Sequence, residues 1–419
     1  MCRSLERTGV CVGVDVKRSN MNQALSSVRI LDLTHMLSGP YGSMILADLG
    51  AETIKVEPCR GEGTRNLLAT DPNHSLDGMG AYYITLNRNK KSVAIDLKTE
   101  QGLSLFKDLV KCVDVVISNF GAGVAERLGI SYPSLSAVNP RIITCTVSGF
   151  GSDGPGSKRP AFDQVAQAMG GGMSITGLDR EHMVRAGIPI GDLGGGMFAV
   201  MGILAALYER ERSGVGQHVD ISMLDCQISM LNYMATMHFM SGVDPYPVGN
   251  SHFVHVPYDT FSCSDGFIVI AVITDNFWKN LKQVIRSPMF DNAKYDGQPG
   301  RWEGREIINS TLNTVLSTNT CKYWLSLLED KRIPCAPVNS LSRALADTQV
   351  LHRNMVVDLK HPNGRATKGP GNPIKLSRNA EEIFTPAPML GQHTDEVMSQ
   401  LLELSTEKIT QMRALGIIR

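Results

Sequence analysis

Asp192 sits in "GIPIGDLGGGMFAVMGILAALYERERSG" (187–214), followed at once by Leu193, three glycines and an apolar helical stretch. A carboxylate at a helix start has two readings. It can be an N-cap that accepts backbone N–H bonds from the first turn. It can also do chemistry. Free first-turn N–H groups and the helix dipole favour an anion there. Glycines at 194–196 would let a ligand approach the backbone closely. An ionised carboxylate can act as a covalent nucleophile without a general base, and an acyl oxygen beside it would find oxyanion donors.

Other residue groups also carry alternatives. Asp163, in "RPAFDQVAQAMGGG", reads as a first-turn acid favoured by the dipole, or as a substrate-orienting acid–base group. "ISNFGAGVAERLG" puts Asn119 and Phe120 at a strand's carboxyl end, where open α/β sheets bind ligands. Arg127 follows on the next helix. That is either a plain turn with a surface arginine, or a base ring against Phe120 with a phosphate on Arg127. "NRNKKS" (87–92) reads as a solvated basic hairpin that could meet phosphates. His252 and His255, in "GNSHFVHVPYDTF", lack acidic partners at metal spacing, so no metal is expected. His393 reads as part of a capping segment before a helix.

The elements that must position these residues alternate. "VRILDLT", "AETIKVE", "KSVAIDL", "DVVISNF" and "RIITCTVSGFG" read as strands, with helices at "GPYGSMILADLG" and "TEQGLSLFKDLVKCV". This spacing predicts an α/β fold with a large Rossmann-like, doubly wound parallel sheet. Helices are expected over about 163–242. A strand–turn–strand and a helix after Tyr258 predict a smaller α+β domain. The expected division is a disordered extension at 1–20, a large domain over 21–225 with linker helices, a small domain over 226–330, and a segment over 331–419 that returns to the large domain. "SGPYGSMILADLG" is not GxGxxG and no Walker A loop occurs, so the usual dinucleotide and P-loop motifs are absent.

Composition narrows the function. Of 419 residues, 42% are hydrophobic and 20% charged, which is ordinary for a globular chain with a large core. Lysine plus arginine (41) equals aspartate plus glutamate (41), which argues against nucleic-acid or membrane-surface partners. The nine cysteines are scattered without a CxxC pair. They predict mostly buried, reduced thiols. The compartment would then be the cytoplasm or, in a eukaryote, a mitochondrial or peroxisomal matrix. The longest apolar stretch, Leu193–Leu207, falls short of the roughly 20 residues needed to span a bilayer.

On these residues the chain resembles the class III coenzyme A transferases, the group of formyl-CoA transferase and L-carnitine CoA-transferase. The carriers, from about Leu25 onward, are "VRILDLTHMLSGPYGSMILADLGAETIKVE", "GEGTR", "LNRNKKSVAIDLK", "SNFGAGVAERLG", "GDLGGGMFAVMGILAAL", "GQHVDISMLD" and "LGQHTDEV". The resemblance implies an interlocked homodimer, a large domain built from both chain ends, and acyl-CoA and carboxylic acid substrates. It implies no permanently bound cofactor: coenzyme A thioester is a substrate. Asp192 would be the nucleophile, passing through an aspartyl anhydride and an aspartyl-CoA thioester. Asn119, Phe120, Val124 and Arg127 would hold CoA, Ile95 would line the adenine site, and Met223 would sit near the thioester. His35, Met36, Leu37 and Ser38 would form the loop beside the acyl group.

The chain departs from the family pattern in places. Formyl-CoA transferase has Gln at the place of Leu37 and a four-glycine loop at "GNSHFVHVPY", which argues against oxalate and formate. Its arginine after the second strand is Pro58 here, so Arg60 or Arg65 would supply the phosphate contact. His35, Arg185 and His252 could meet the far carboxylate of a dicarboxylate such as succinyl-CoA. The α-methylacyl-CoA racemases share this fold and pair the acid with a histidine in "GHD". This chain has "AFD", with Phe162 in the histidine's place, so transfer ranks above racemisation. A non-catalytic CoA-binding protein is the reading from another class, and the intact "GDLGGG" speaks against it.

Overall fold

The computed structural model describes residues 23–361 and 364–419; the extension expected over 1–20 lies outside them. Six strands form one parallel sheet: β1 (Arg29–Asp32), β2 (Glu52–Glu57), β3 (Lys90–Ala94), β4 (Val115–Ser118), β5 (Ile143–Ser148) and β6 (His218–Ser222). Their spatial order is β3-β2-β1-β4-β5-β6, every neighbouring pair parallel. This is a doubly wound mixed α/β fold. The chain reverses direction across the sheet between β1 and β4, and such a switch point opens a crevice at the strands' carboxyl ends.

The strands form because short apolar runs are buried on both faces. Ile30, Leu31, Val115 and Ile143 are all fully buried. One face packs on Phe106 and Leu109 of α2 (Glu100–Val110), together with Ile417 and Ile418 from the chain's end. The other packs on α1 (Ser38–Asp48) and α4 (Ile190–Ser213), through Leu46, Ala199 and Ile203. Two more helices frame α4: α3 (Asp163–Met169) and α5 (Met223–Leu231).

Three expectations are corrected. β6 lies inside the region read as helical. It is a sheet-edge strand that exposes His218 and Asp220, so it lacks the apolar run of its neighbours. The apolar stretch at 193–207 belongs to a 24-residue helix, long and apolar enough to cross a membrane by length and composition. Half of its apolar window is buried inside the protein, as in a core helix. "NRNKKS" is no solvated hairpin: Asn87, Arg88, Lys90 and Ser92 are almost fully buried. Arg88 grips Asp48 (Nη2–Oδ2 2.6 Å) and Lys90 grips Asp32 (2.9 Å), so burial pairs these charges with carboxylates far away in sequence.

The chain divides into two compact units. The sheet unit comprises the described residues up to Gly171, Ala186–Thr236 and His352–Arg419. The second unit comprises Gly172–Arg185 and Met237–Leu351. In it, β7 (Tyr258–Cys263), β8 (Gly266–Ala271) and β9 (Cys335–Pro337) form an antiparallel sheet, with β8 in the middle. Trp278, Leu312 and Leu328, from three helices, are buried in its core. Near the chain's end, Val356–Lys360 pairs antiparallel with Ala366–Pro370.

Candidate active site

The loop leaving β1 crosses the switch point. Asn119, just beyond β4, clamps it. The Asn119 Oδ1 accepts the His35 backbone N–H (2.8 Å), and its Nδ2 donates to the His35 carbonyl (2.7 Å). The Phe120 ring packs at a tilt on the His35 ring, centroids 5.5 Å apart. Met36, with φ at 62°, takes a left-handed conformation that is uncommon for a side-chain-bearing residue. The chain then enters α1 at Ser38. Below the loop, Asp32 Oδ1 accepts both the backbone N–H (2.9 Å) and the hydroxyl (2.5 Å) of Thr34.

Asp192 lies in the first turn of α4, and Pro189 holds the N-cap position. The cap is supplied from elsewhere. Asp163 Oδ1 accepts the Gly191 N–H at 2.8 Å and the Asp192 N–H at 3.3 Å, and its Oδ2 accepts from Gln167 (2.7 Å). Leu193 N–H bonds the Pro189 carbonyl and Ile190 N–H the Ile188 carbonyl. The first-turn donors that the sequence reading offered to an oxyanion are therefore spent within the protein. Among the described residues, the Asp192 side chain has no ion pair and no hydrogen bond. Burial and the nearby Asp163 charge raise its carboxyl pKa to about 6. Tyr82 is pushed up to about 12 by burial and by the charges of Asp192, Glu62 and Asp163.

The three glycines serve packing. All three are buried inside α4. A Cβ on Gly195 would fall 2.5 Å from Ser38 Oγ, and one on Gly196 would fall 2.6 Å from the Ser38 carbonyl oxygen. Ser38 Oγ donates to the Asp192 carbonyl (2.8 Å), tying the loop helix to the acid's own turn. Met223, at the start of α5, is buried beside Gly195.

The remaining expected ligands fall into two groups. Val124 is half-buried and Arg127 exposed, one turn beyond Phe120. Arg65 and Ile95 are closed off. Arg65 is buried and bidentate on Glu57 (both contacts 2.6 Å), with Nη1 on the Pro388 carbonyl. It has no free edge for a phosphate, whereas Arg60 is exposed. Ile95 is 1% exposed and bridges to Ile418 in the core, so it offers a ligand no side-chain surface. Sequence reasoning weighed Asp163 as either a helix-start acid or a substrate-orienting group, and it did not raise Tyr82 or Lys55. Only Asp163 carried a signal, its place in a helix's first turn. His252 lines a cavity of about 650 Å³ in the second unit, together with Arg180 and Arg305. His393 sits at the N-cap position of the Thr394–Leu402 helix, and its Nδ1 accepts the Ser92 N–H (3.1 Å). Among the described residues, no three His, Cys, Asp or Glu are grouped to hold a metal.

The arrangement of the two acids makes a pH prediction. With Asp192 as the reacting acid, the acid limb of kcat/KM would lie near pH 6, where Asp192 protonates. In Asp163→Asn the amide oxygen still caps α4, but the like charge is gone. The limb should then move to lower pH in a pH–rate profile. An unmoved limb would mean that Asp163 does not act through its charge.

The comparisons agree on one relationship. The family model described as CoA-transferase family III matches residues 25–394. The Homo sapiens succinyl-CoA:glutarate CoA-transferase is 32% identical over 409 residues, covering 96% of this chain and 92% of that protein. The Agrobacterium fabrum succinate–glutarate CoA-transferase is 35% identical over 393 residues, covering 91% and 96%. The crystal structure of a CAIB/BAIF family protein from Brucella suis superposes with a TM-score of 0.82 at 32% identity, covering 91% of this chain and all of that one. The fold and relatives thus define an enzyme that moves coenzyme A between an acyl-CoA and a carboxylic acid. The chain belongs to CoA-transferase family III.

Proposed function

We propose that Asp192 is the nucleophile of this transfer and that the donor is a dicarboxylyl-CoA such as succinyl-CoA. The observation that carries the first part is a half-buried carboxylate with no cation paired to it among the described residues. Its raised pKa marks a less stabilised, more basic anion. The Asp192 oxygen attacks the thioester carbonyl, and the C–S bond breaks to release CoA thiolate. A thiol pKa of about 8.5 makes that thiolate a good leaving group. The thiolate then attacks the aspartyl carbonyl of the mixed anhydride. This frees the donor acid and leaves an aspartyl-CoA thioester. The acceptor carboxylate attacks that thioester, and the returning thiolate takes up the acceptor acyl group and restores Asp192. In this reading His35–Ser38 and Met223 flank the acyl group, Asn119 sets the His35 loop, and Phe120, Val124 and Arg127 hold CoA.

One observation supports a dicarboxylate: both curated relatives described above are named for succinate and glutarate chemistry. Assays pairing succinyl-CoA, acetyl-CoA and oxalyl-CoA with mono- and dicarboxylic acceptors test this. Dicarboxylates should be preferred, and activity confined to monocarboxylates would overturn the choice. Racemisation lacks its second base, because an exposed Phe162 stands at that point. Exchange of the α-proton of a 2-methylacyl-CoA for deuterium, without an acceptor acid, would revive it.

The interlocked homodimer and a reducing compartment belong to the same proposal. Phe239 and Met240 are 83% and 84% exposed, as befits side chains covered by a second chain. The described cysteines are free thiols, as a reducing compartment would leave them.

A further inference from the structure

Lys55 lies in the middle of β2 and is fully buried. A buried ammonium is costly unless it is paired and its donors are used. Lys90, on the adjacent strand β3 two positions out of register, is satisfied: it bonds Asp32, Ser43, Asn87 and the Pro40 carbonyl. Lys55 is held differently: it lies level with Asp32 in the β1–β2 register and its charge acts on Asp32 and Glu57, but among the described residues it makes no ion-pair contact, and its single hydrogen bond runs from Nζ to the Thr34 carbonyl at 2.8 Å. That carbonyl belongs to the peptide group whose N–H is on His35, and this N–H is the one held by Asn119. The peptide is thus gripped on both sides, by Lys55 from below and by Asn119 across the switch point. Thr34's own N–H and hydroxyl are fixed by Asp32.

We propose that Lys55 is a positioning residue for acyl transfer: its ammonium clamps the Thr34–His35 peptide and so sets the orientation of the His35–Ser38 loop. The inference rests on the reading of that loop as the one beside the acyl group. It also assigns Lys55 a second effect. The charged groups facing His35 are Lys55, Glu62, Asp32 and Glu57, with Asn119 and Phe120 as its uncharged neighbours. Burial and then the Lys55 charge hold the imidazole below its ordinary pKa, against the three carboxylates. A neutral imidazole keeps one N–H donor and one acceptor nitrogen. It can therefore donate to a developing acyl oxyanion without bringing a second positive charge beside Lys55.

Two substitutions separate the clamp from the charge. Lys55→Met removes both, and Lys55→Gln removes the charge but keeps an N–H donor for the Thr34 carbonyl. His35 is followed by NMR titration of its ring carbon, assigned by His35→Gln, and this readout needs no turnover. In Lys55→Met, kcat should fall about 10²-fold, as when a reacting group is misplaced by an ångström. CoA affinity, read by calorimetry, should stay unchanged, and the His35 midpoint should rise. Lys55→Gln should recover much of the rate while keeping the raised midpoint. An unshifted midpoint in both variants, or equal rates in wild type and Lys55→Met, overturns the proposal. Should Lys55→Met fail to fold, the midpoint and rate of Lys55→Gln decide alone: an unshifted midpoint overturns it, and a raised midpoint with a near-normal rate supports it. Full activity in Asp192→Asn would instead sink the functional reading, and the His35 titration would still stand as a test of the Lys55 charge acting on His35.

Discussion

Asp192→Asn should fold and bind CoA, yet transfer acyl groups about 10⁴-fold more slowly or worse. The amide has the same shape but no nucleophilic oxygen anion, so the anhydride cannot form. With succinyl-CoA and hydroxylamine, the wild type should yield a hydroxamate on the Asp192 peptide by mass spectrometry, and the variant none. Exchange at an undiminished rate in the variant would end the proposal. The same substitution should stabilise the protein. A carboxyl lifted from 3.8 to about 6 in the folded state makes its charge a cost to folding. The folded state binds the proton more tightly, so stability falls as pH rises through this range. Removing the charge should gain about 1–2 kcal/mol at pH 7, once solvent screening of a half-buried group is allowed for. The gain should be complete above about pH 6 and gone below about pH 4, when the wild-type acid is neutral too. Scanning calorimetry at pH 7 and at pH 4 reads it directly. Loss of activity with a gain in stability is the pattern of a strained functional group, and a merely structural acid would show the reverse.

The sheet was legible where strands are buried on both faces. Val115–Ser118 and Ile143–Ser148 announce themselves by unbroken apolar or β-branched runs. His218–Ser222 was hidden because an edge strand alternates polar and apolar residues over only five positions. Asp192 was legible from one local fact, an acid ahead of glycines and an apolar helix. What surrounds it was not, because the partners come from far away in sequence. Asp163 lies 29 residues before the N–H group of Asp192 that it caps, and Asn119 lies 84 residues after the His35 peptide that it clamps. Local pattern shows an arginine but not its partner. Arg65 therefore read as a phosphate ligand, when its fork is filled by Glu57. The cover over the Ile95 side chain was hidden for a similar reason: Ile418, which bridges to it, is the next to last residue of the chain.

Gly196→Ala should destabilise the protein by about 3 kcal/mol or more, a large loss for one methyl group. Helix propensity alone predicts the opposite sign, since alanine is favoured over glycine inside a helix by about 1 kcal/mol. Space decides the sign. A Cβ on Gly196 would lie 2.6 Å from the Ser38 carbonyl oxygen, 3.0 Å from Tyr41 Cδ1 and 3.1 Å from the Gly42 nitrogen. Two of these are backbone atoms, which cannot turn aside as a side chain can. The approach is mutual, because a Cβ on Gly42 would lie 2.8 Å from the Gly196 carbonyl oxygen. The methyl can be accepted only by prying α1 away from α4 along the seam where both pack on the sheet. Gly195→Ala makes the comparison sharper. Its nearest obstacle is Ser38 Oγ at 2.5 Å, a hydroxyl that can rotate away at the expense of its bond to the Asp192 carbonyl. That variant should keep most of its stability and lose activity, whereas Gly196→Ala should lose stability first. Thermal unfolding and turnover measured on the two proteins together test the assignment. A Gly196→Ala protein as stable as the wild type would return the glycines to the role the sequence first suggested, of making room for a ligand.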